Sequence, residues 1–181
     1  MYDIQRQNGH AVGSIVLNPF PVGSIGEVNV ATFSSDGIYL AIARNDNVTH
    51  IYDSRMLEKG VLHTFEHLGP CRTSPGSESY GIVQAQWVES ASRRLGLVTG
   101  GDDGEYACNI FIPTQVQCVL LWKGCVRLWD VLKSANDPGN GVPLVETDFD
   151  IGYFSLGNPF KRENALVVYV LFVYLALFEL T

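Results

Sequence analysis

The sequence predicts an all-β chain of 181 residues, on three observations. Short apolar runs alternate inward and outward types with a period of two, the period of a half-buried strand. Clusters of Ser, Asn, Asp and Gly separate them at the spacing of tight turns. The order of run and turn then repeats along the chain, the mark of a repeat architecture.

The first copy spans about 28–67. VNVATF, IYLAIAR and VTHIYD read as three antiparallel strands. Ser34-Ser35-Asp36-Gly37 joins the first two, with a side chain able to bond back to the backbone and a glycine free to take positive φ. Asn45-Asp46-Asn47 turns the next corner, and VLHTFEH (61–67) supplies a fourth, outer strand. The second copy spans about 82–147, with IVQAQWV, LGLVTG and CVRLWDV as strands. A partial third copy is read from PLVETDF, IGYFSLG and ALVV, its body at 149–168.

Leu97-Val98-Thr99-Gly100-Gly101-Asp102-Asp103-Gly104, joined to Cys125-Val126-Arg127-Leu128-Trp129-Asp130-Val131, resembles the signature end of a WD repeat. The likeness covers roughly residues 11–168, and Tyr52-Asp53 is a weaker form of the Trp-Asp pair in the first copy. The resemblance implies a partial β-propeller of four-stranded antiparallel blades around a central channel. It also implies structural roles. Trp129 would hydrogen-bond Thr99, Asp103 would stabilise the turn, and Asp130 would complete the motif, with Asp46, Tyr52 and Asp53 as first-copy counterparts. Two departures stand out. The family's histidine is absent before both inner strands, where Gly26-Glu27 and Tyr80-Gly81 stand, and Ile42 replaces the counterpart of Thr99.

Two segments break the pattern. Residues 105–124 (EYACNIFIPTQVQCVLLWKG) split the second motif, and their removal rejoins it as VTGGDDGCVRLWDV. Loops tolerate insertions cheaply, but this one is apolar, unlike most exposed loops. A natural insertion and a retained intron both stand open. Gly104-Glu105-Tyr106 can encode a splice donor, Lys123-Gly124 an acceptor, and excision of twenty codons leaves the frame intact. The second segment is an apolar tail at 169–181, at whose start Val168-Tyr169-Val170 can encode another donor. The apolar stretch from Ala165 to Phe178 is shorter than the ~20 residues of a membrane-spanning helix. The third repeat is thus expected to lack its third strand, as in a truncated gene model.

Composition narrows the function. A net charge of −7 repels phosphate backbones and anionic lipid surfaces, so neither nucleic acid nor a membrane is an expected partner. Cys71, Cys108, Cys118 and Cys125 show no zinc-ligand spacing, and Met1–His10 contain no apolar signal core. An intracellular location, cytoplasmic or nuclear, is the expectation, with the sequon Asn47-Val48-Thr49 idle. His63 and His67 on one strand would stand ~13 Å apart, too far for one ion. Asp102 and Asp103 read as turn-capping groups. No phosphate-cradling Gly loop or nucleophile elbow occurs. The long polar loop 69–80 carries Ser74-Pro75 as a phosphorylation candidate.

The expected function is therefore a non-enzymatic protein-interaction scaffold without cofactor, metal or catalytic residues, whose partners are other proteins. One alternative is a substrate receptor of a cullin-based ubiquitin ligase. Ile51-Tyr52-Asp53-Ser54-Arg55 resembles the Trp-Asp-x-Arg box of such receptors, with Arg55 as the adaptor contact. Another is a membrane-tethered truncated protein.

Overall fold

A computed structural model describes residues 15–20, 26–68, 81–89, 95–112, 115–147, 151–157, 165–170 and 174–179; the side chains of 102–123, 165, 169–170 and 174–179 lie outside the description. The chain is all-β, with eleven strands in three antiparallel sheets of four, four and three strands, and no α-helix among the described residues.

Sheet 1 comprises β1 (Val28–Phe33), β2 (Tyr39–Arg44), β3 (Val48–Asp53) and β4 (His63–Glu66), in chain order. Its corners follow the turn chemistry of the sequence. Gly37 takes φ 69° and its amide donates to the Ser34 carbonyl at 2.9 Å, closing a β-turn. The Asp36 carboxylate accepts from the Ser34 hydroxyl (2.6 Å) and the Ile38 amide (2.9 Å), which hold it below its ordinary pKa. Between β3 and β4, Leu57–Lys59 form a 3-10 turn.

Sheet 2 comprises β5 (Gln84–Glu89), β6 (Leu95–Ile112), β7 (Gln115–Asp130) and β8 (Val142–Thr147). Val142–Thr147, within the run read as leading into the third copy, is the outer strand of this second sheet: Val126 pairs with Val145 across it. Sheet 3 has the order β9 (Ile151–Leu156), β10 (Ala165–Val170), β11 (Tyr174–Glu179). Where the sequence reading ended the third repeat at 168 without a third strand, the structure continues it. β11 pairs with β10 from Ala165↔Glu179 to Val170↔Tyr174.

The insertion extends one hairpin. β6 and β7 pair from Gly96↔Asp130 to Asp102↔Gly124, shift register, and resume from Glu105↔Trp122 to Ile112↔Gln115. Residues 105–112 and 115–122 therefore pair with each other as a ribbon beyond the edge of the four-stranded sheet.

The sheets stack face to face. Ala41, Ala43, Ile51 and Phe65 of sheet 1 bury against Ile82, Ala85, Leu97, Trp129 and Val131 of the second repeat. Val98, Val126 and Val145 on the opposite face of sheet 2 bury against Ile151, Phe154, Leu166 and Val168 of sheet 3. One face of each sheet thus meets one neighbour, as the period of two requires. Close approach is needed at Gly100, where a Cβ would stand 2.9 Å from the Phe154 ring. The other face of sheet 1 carries Leu40, Ile42 and Tyr52, covered by Ile15 and Leu17 of the preceding segment and by Leu57 and Val61.

Candidate functional site

The stack has two ends. At one lie the corner 45–47, the end of β4 and the ribbon 105–122; at the other lie the turns 34–38 and 53–62 and the turn 131–141. A buried polar joint ties sheet 1 to sheet 2, and a charged turn is presented at the second end.

The joint is centred on Thr99 in β6. The Trp129 indole Nε1 donates to its hydroxyl oxygen at 2.8 Å, and His67 Nε2 lies 2.8 Å from the same oxygen. Thr99, His67 and Trp129 are all buried. The pair expected from the sequence, Thr99 with Trp129, is brought together because Trp129 pairs with Leu97 across the ladder, two residues from Thr99. His67, one residue past the outer strand of the preceding sheet, is a partner of Thr99 that the sequence reading did not expect. Its ring meets Trp129 edge-on at 6.1 Å, while Phe65 stacks on Trp129 at 4.9 Å and 14°. The signal that could have found it lay in the alternation: Phe65 and His67 point the same way out of one strand. His63 stacks on Phe65 instead.

Sheet 1 builds its counterpart differently. Tyr52 pairs with Leu40, as Trp129 pairs with Leu97, so Ile42 stands at the register of Thr99. Tyr52 is fully buried on the far face, its hydroxyl has no hydrogen-bond partner among the described residues, and burial raises its pKa. Asp46 makes a buried ion pair with Arg44, whose Nε donates at 3.0 Å and whose second nitrogen closes a bidentate contact. Arg44 also donates to the Asn18 carbonyl at 2.9 Å and lies 3.8 Å over the Phe20 ring. His50 on the same face is held below its ordinary pKa, by burial first and Arg44 second.

Asp130 and Asp53 cap equivalent turns. The Asp130 carboxylate accepts from the Leu132 amide at 3.1 Å, and its own amide donates to Asn140 Oδ1 at 2.8 Å. Asp53 accepts from the Arg55 amide (2.9 Å), Nε (2.9 Å) and terminal guanidinium (2.7 Å). The Arg55 side chain hydrogen bonds, then its amide, hold the Asp53 carboxyl down to about 2. The pair is asymmetric: Asp53 is 8% exposed and Arg55 is 62% exposed. Arg55 is thus fixed in direction by a buried carboxylate and open to solvent on its far side.

The side chains of Asp102 and Asp103 lie outside the description, as does the loop with Ser74. The sequon is buried, with Asn47 and Thr49 at 1% and 0% exposure. Among the described residues no three His, Cys, Asp or Glu side chains cluster to hold a metal, and no helix is long and apolar enough to cross a membrane. No family model and no curated protein matches the chain.

Proposed function

We propose that the chain is a WD-repeat-type propeller module whose work is to hold other proteins rather than to catalyse. The observation that carries this reading is the Thr99 joint. One hydroxyl engages Trp129 of its own sheet and His67 of the sheet before, which supports a fixed seating of one four-stranded unit on the next. The same face-to-face burial recurs between sheets 2 and 3. Titratable groups that could act on a substrate are engaged in structure: Asp53 and Asp130 cap turns, and Arg44 and Asp46 satisfy each other. A stack of this kind presents its turns at two ends, where partners dock on positions fixed by the sheets.

A second reading is favoured by Arg55 and concerns the partner. An exposed guanidinium aimed by a buried carboxylate suits bidentate recognition of an acceptor on another protein, which supports a substrate-receptor role toward the adaptor of a cullin-based ligase. Capture of partners by the whole chain, by Arg55→Ala and by Trp129→Ala tests both readings. The expected result is a set of proteins, cross-linked through the turns, that Trp129→Ala loses entirely. Adaptor binding should be lost in Arg55→Ala while the other partners persist. Equal capture by Trp129→Ala would contradict the scaffold reading; equal adaptor binding, or none by the wild type, would contradict the receptor reading.

A further inference from the structure

The ribbon formed by 105–112 and 115–122 is a two-stranded extension with two open edges. β5 pairs with β6 no further than Gly100, and β8 pairs with β7 no further than Gly124. Beyond these points, among the described residues, the two runs pair only with each other. A two-stranded ribbon is marginal in water until a further strand or a packed face is added. From Tyr106 to Trp122 the sequence carries no charged residue. The register divides its apolar residues between both faces: Ile110 and Val119 stand on one, Phe111 and Leu120 on the other.

The two edges differ. Exposed edge strands are ordinarily guarded by charge, proline or a bulge. The 105–112 edge has such guards, since it starts at Glu105 beside the register shift that follows Asp102. The 115–122 edge has none: Gln115 to Trp122 is unbroken in register, uncharged and without proline. A charged groove finds no countercharge on it, and a lipid interior would leave its edge N–H and C=O groups unsatisfied. The same strand of a second copy supplies both a matching row of backbone groups and equally uncharged faces. Charge elsewhere in the chain sets the direction. Each copy carries −7, so two copies repel unless their bodies stay apart. Antiparallel pairing holds the bodies at the two ends of a run of about 26 Å, at ~3.3 Å per residue, which is roughly three Debye lengths at physiological salt.

We propose that two copies of the chain join through residues 115–122, edge to edge and antiparallel about a two-fold axis, to make one four-stranded ribbon. The pairing goes beyond the scaffold reading and needs only the hairpin, so the two stand or fall separately. Residues opposite one another in a sheet share a face, so a two-fold axis perpendicular to it places one residue opposite its own copy. Over 115–122 that residue is Cys118 or Val119, the two centres that leave most of the strand paired. Cys108, on the outer strand, comes no nearer its own copy than three strand spacings, roughly 14 Å.

Sedimentation of the intact chain at micromolar concentration is expected to give twice 19.9 kDa. Deletion of 105–124 should give the monomer with the circular dichroism of the three sheets retained. Val119→Lys with Leu120→Lys charges both faces of the same edge and should also give the monomer. Oxidation of the dimer with copper phenanthroline should join Cys118 to its copy or, in Cys118→Ser with Val119→Cys, position 119 to its copy, while Cys108 stays unlinked. A monomeric intact chain, a dimer that survives the deletion or the lysines, linkage at neither 118 nor 119, linkage through Cys108, or growth beyond the dimer would each overturn the proposal. So would a monomer that floats with phosphatidylcholine vesicles, which would assign the ribbon to a lipid surface.

Discussion

Thr99 has one hydroxyl and two aromatic partners, and both partners are buried with it. A hydroxyl can accept from the indole and still engage an imidazole nitrogen, so one small side chain satisfies two polar groups that burial would otherwise leave costly. Asp53 shows the opposite economy: one carboxylate accepts three hydrogen bonds from one arginine. Its folded pKa of about 2 lies below the ordinary 3.8, so the stability it contributes is complete above about pH 4 and is lost as pH falls through about 2. Arg55→Met removes two of the three bonds and leaves the amide. Carboxyl-resolved NMR titration should then show Asp53 titrating above its wild-type value; an unchanged titration would mean that Arg55 does not hold it. At this scale the sequence was partly legible. The Trp129–Thr99 contact was expected from the resemblance to a WD repeat, and the ladder pairing of Leu97 with Trp129 accounts for it. His67 was missed because its partner lies 32 residues away across a sheet junction, where spacing carries no information.

At the scale of elements, turn chemistry was the most legible feature, because a Gly at positive φ or an Asp beside a turn acts over two to five residues. Gly141 illustrates a second constraint that spacing does not reveal. Its φ is 72° and a Cβ would stand 2.3 Å from the Trp129 ring, so the turn after β7 and the motif tryptophan specify each other. The outer strand of the second repeat was displaced in part into the third, since an apolar run of six residues reads alike in either place. The interruption at 105–124 was legible as an interruption, and its conformation was not: its strands pair with each other rather than with sheet 2. Deletion of 105–124 would leave Asp102-Asp103-Gly104 to close the corner at Gly101↔Cys125, a short loop ending in Gly. We expect the deleted chain to melt within about 4 °C of the intact one, equivalent to roughly 1 kcal/mol. A fall of more than about 10 °C would show that the ribbon supports the sheet after all.

For the whole molecule, the decisive property is the succession of sheets, in which sheet 2 is buried on both faces by its neighbours and sheet 1 by sheet 2 and the segment 15–17. Sheet 2 is the clearest case, with Leu97 and Trp129 facing sheet 1 and Val98 and Val126 facing sheet 3. The sequence announced this through alternating apolar residues on both sides of the same strands, but not which sheet each side would meet. The Thr99 joint is where one sheet's outer end engages the next sheet's middle, and it carries the scaffold reading. A double-mutant cycle on Thr99→Val and His67→Leu, read by chemical denaturation of the intact chain, tests it most directly. Thr99→Val removes the hydroxyl that two buried side chains share and should cost about 1–3 kcal/mol. If the sheets stack through this contact, the double variant should lose about 1 kcal/mol less than the sum of the single losses. Additivity within about 0.3–0.5 kcal/mol would show that His67 and Thr99 do not meet, and would contradict the stacked architecture.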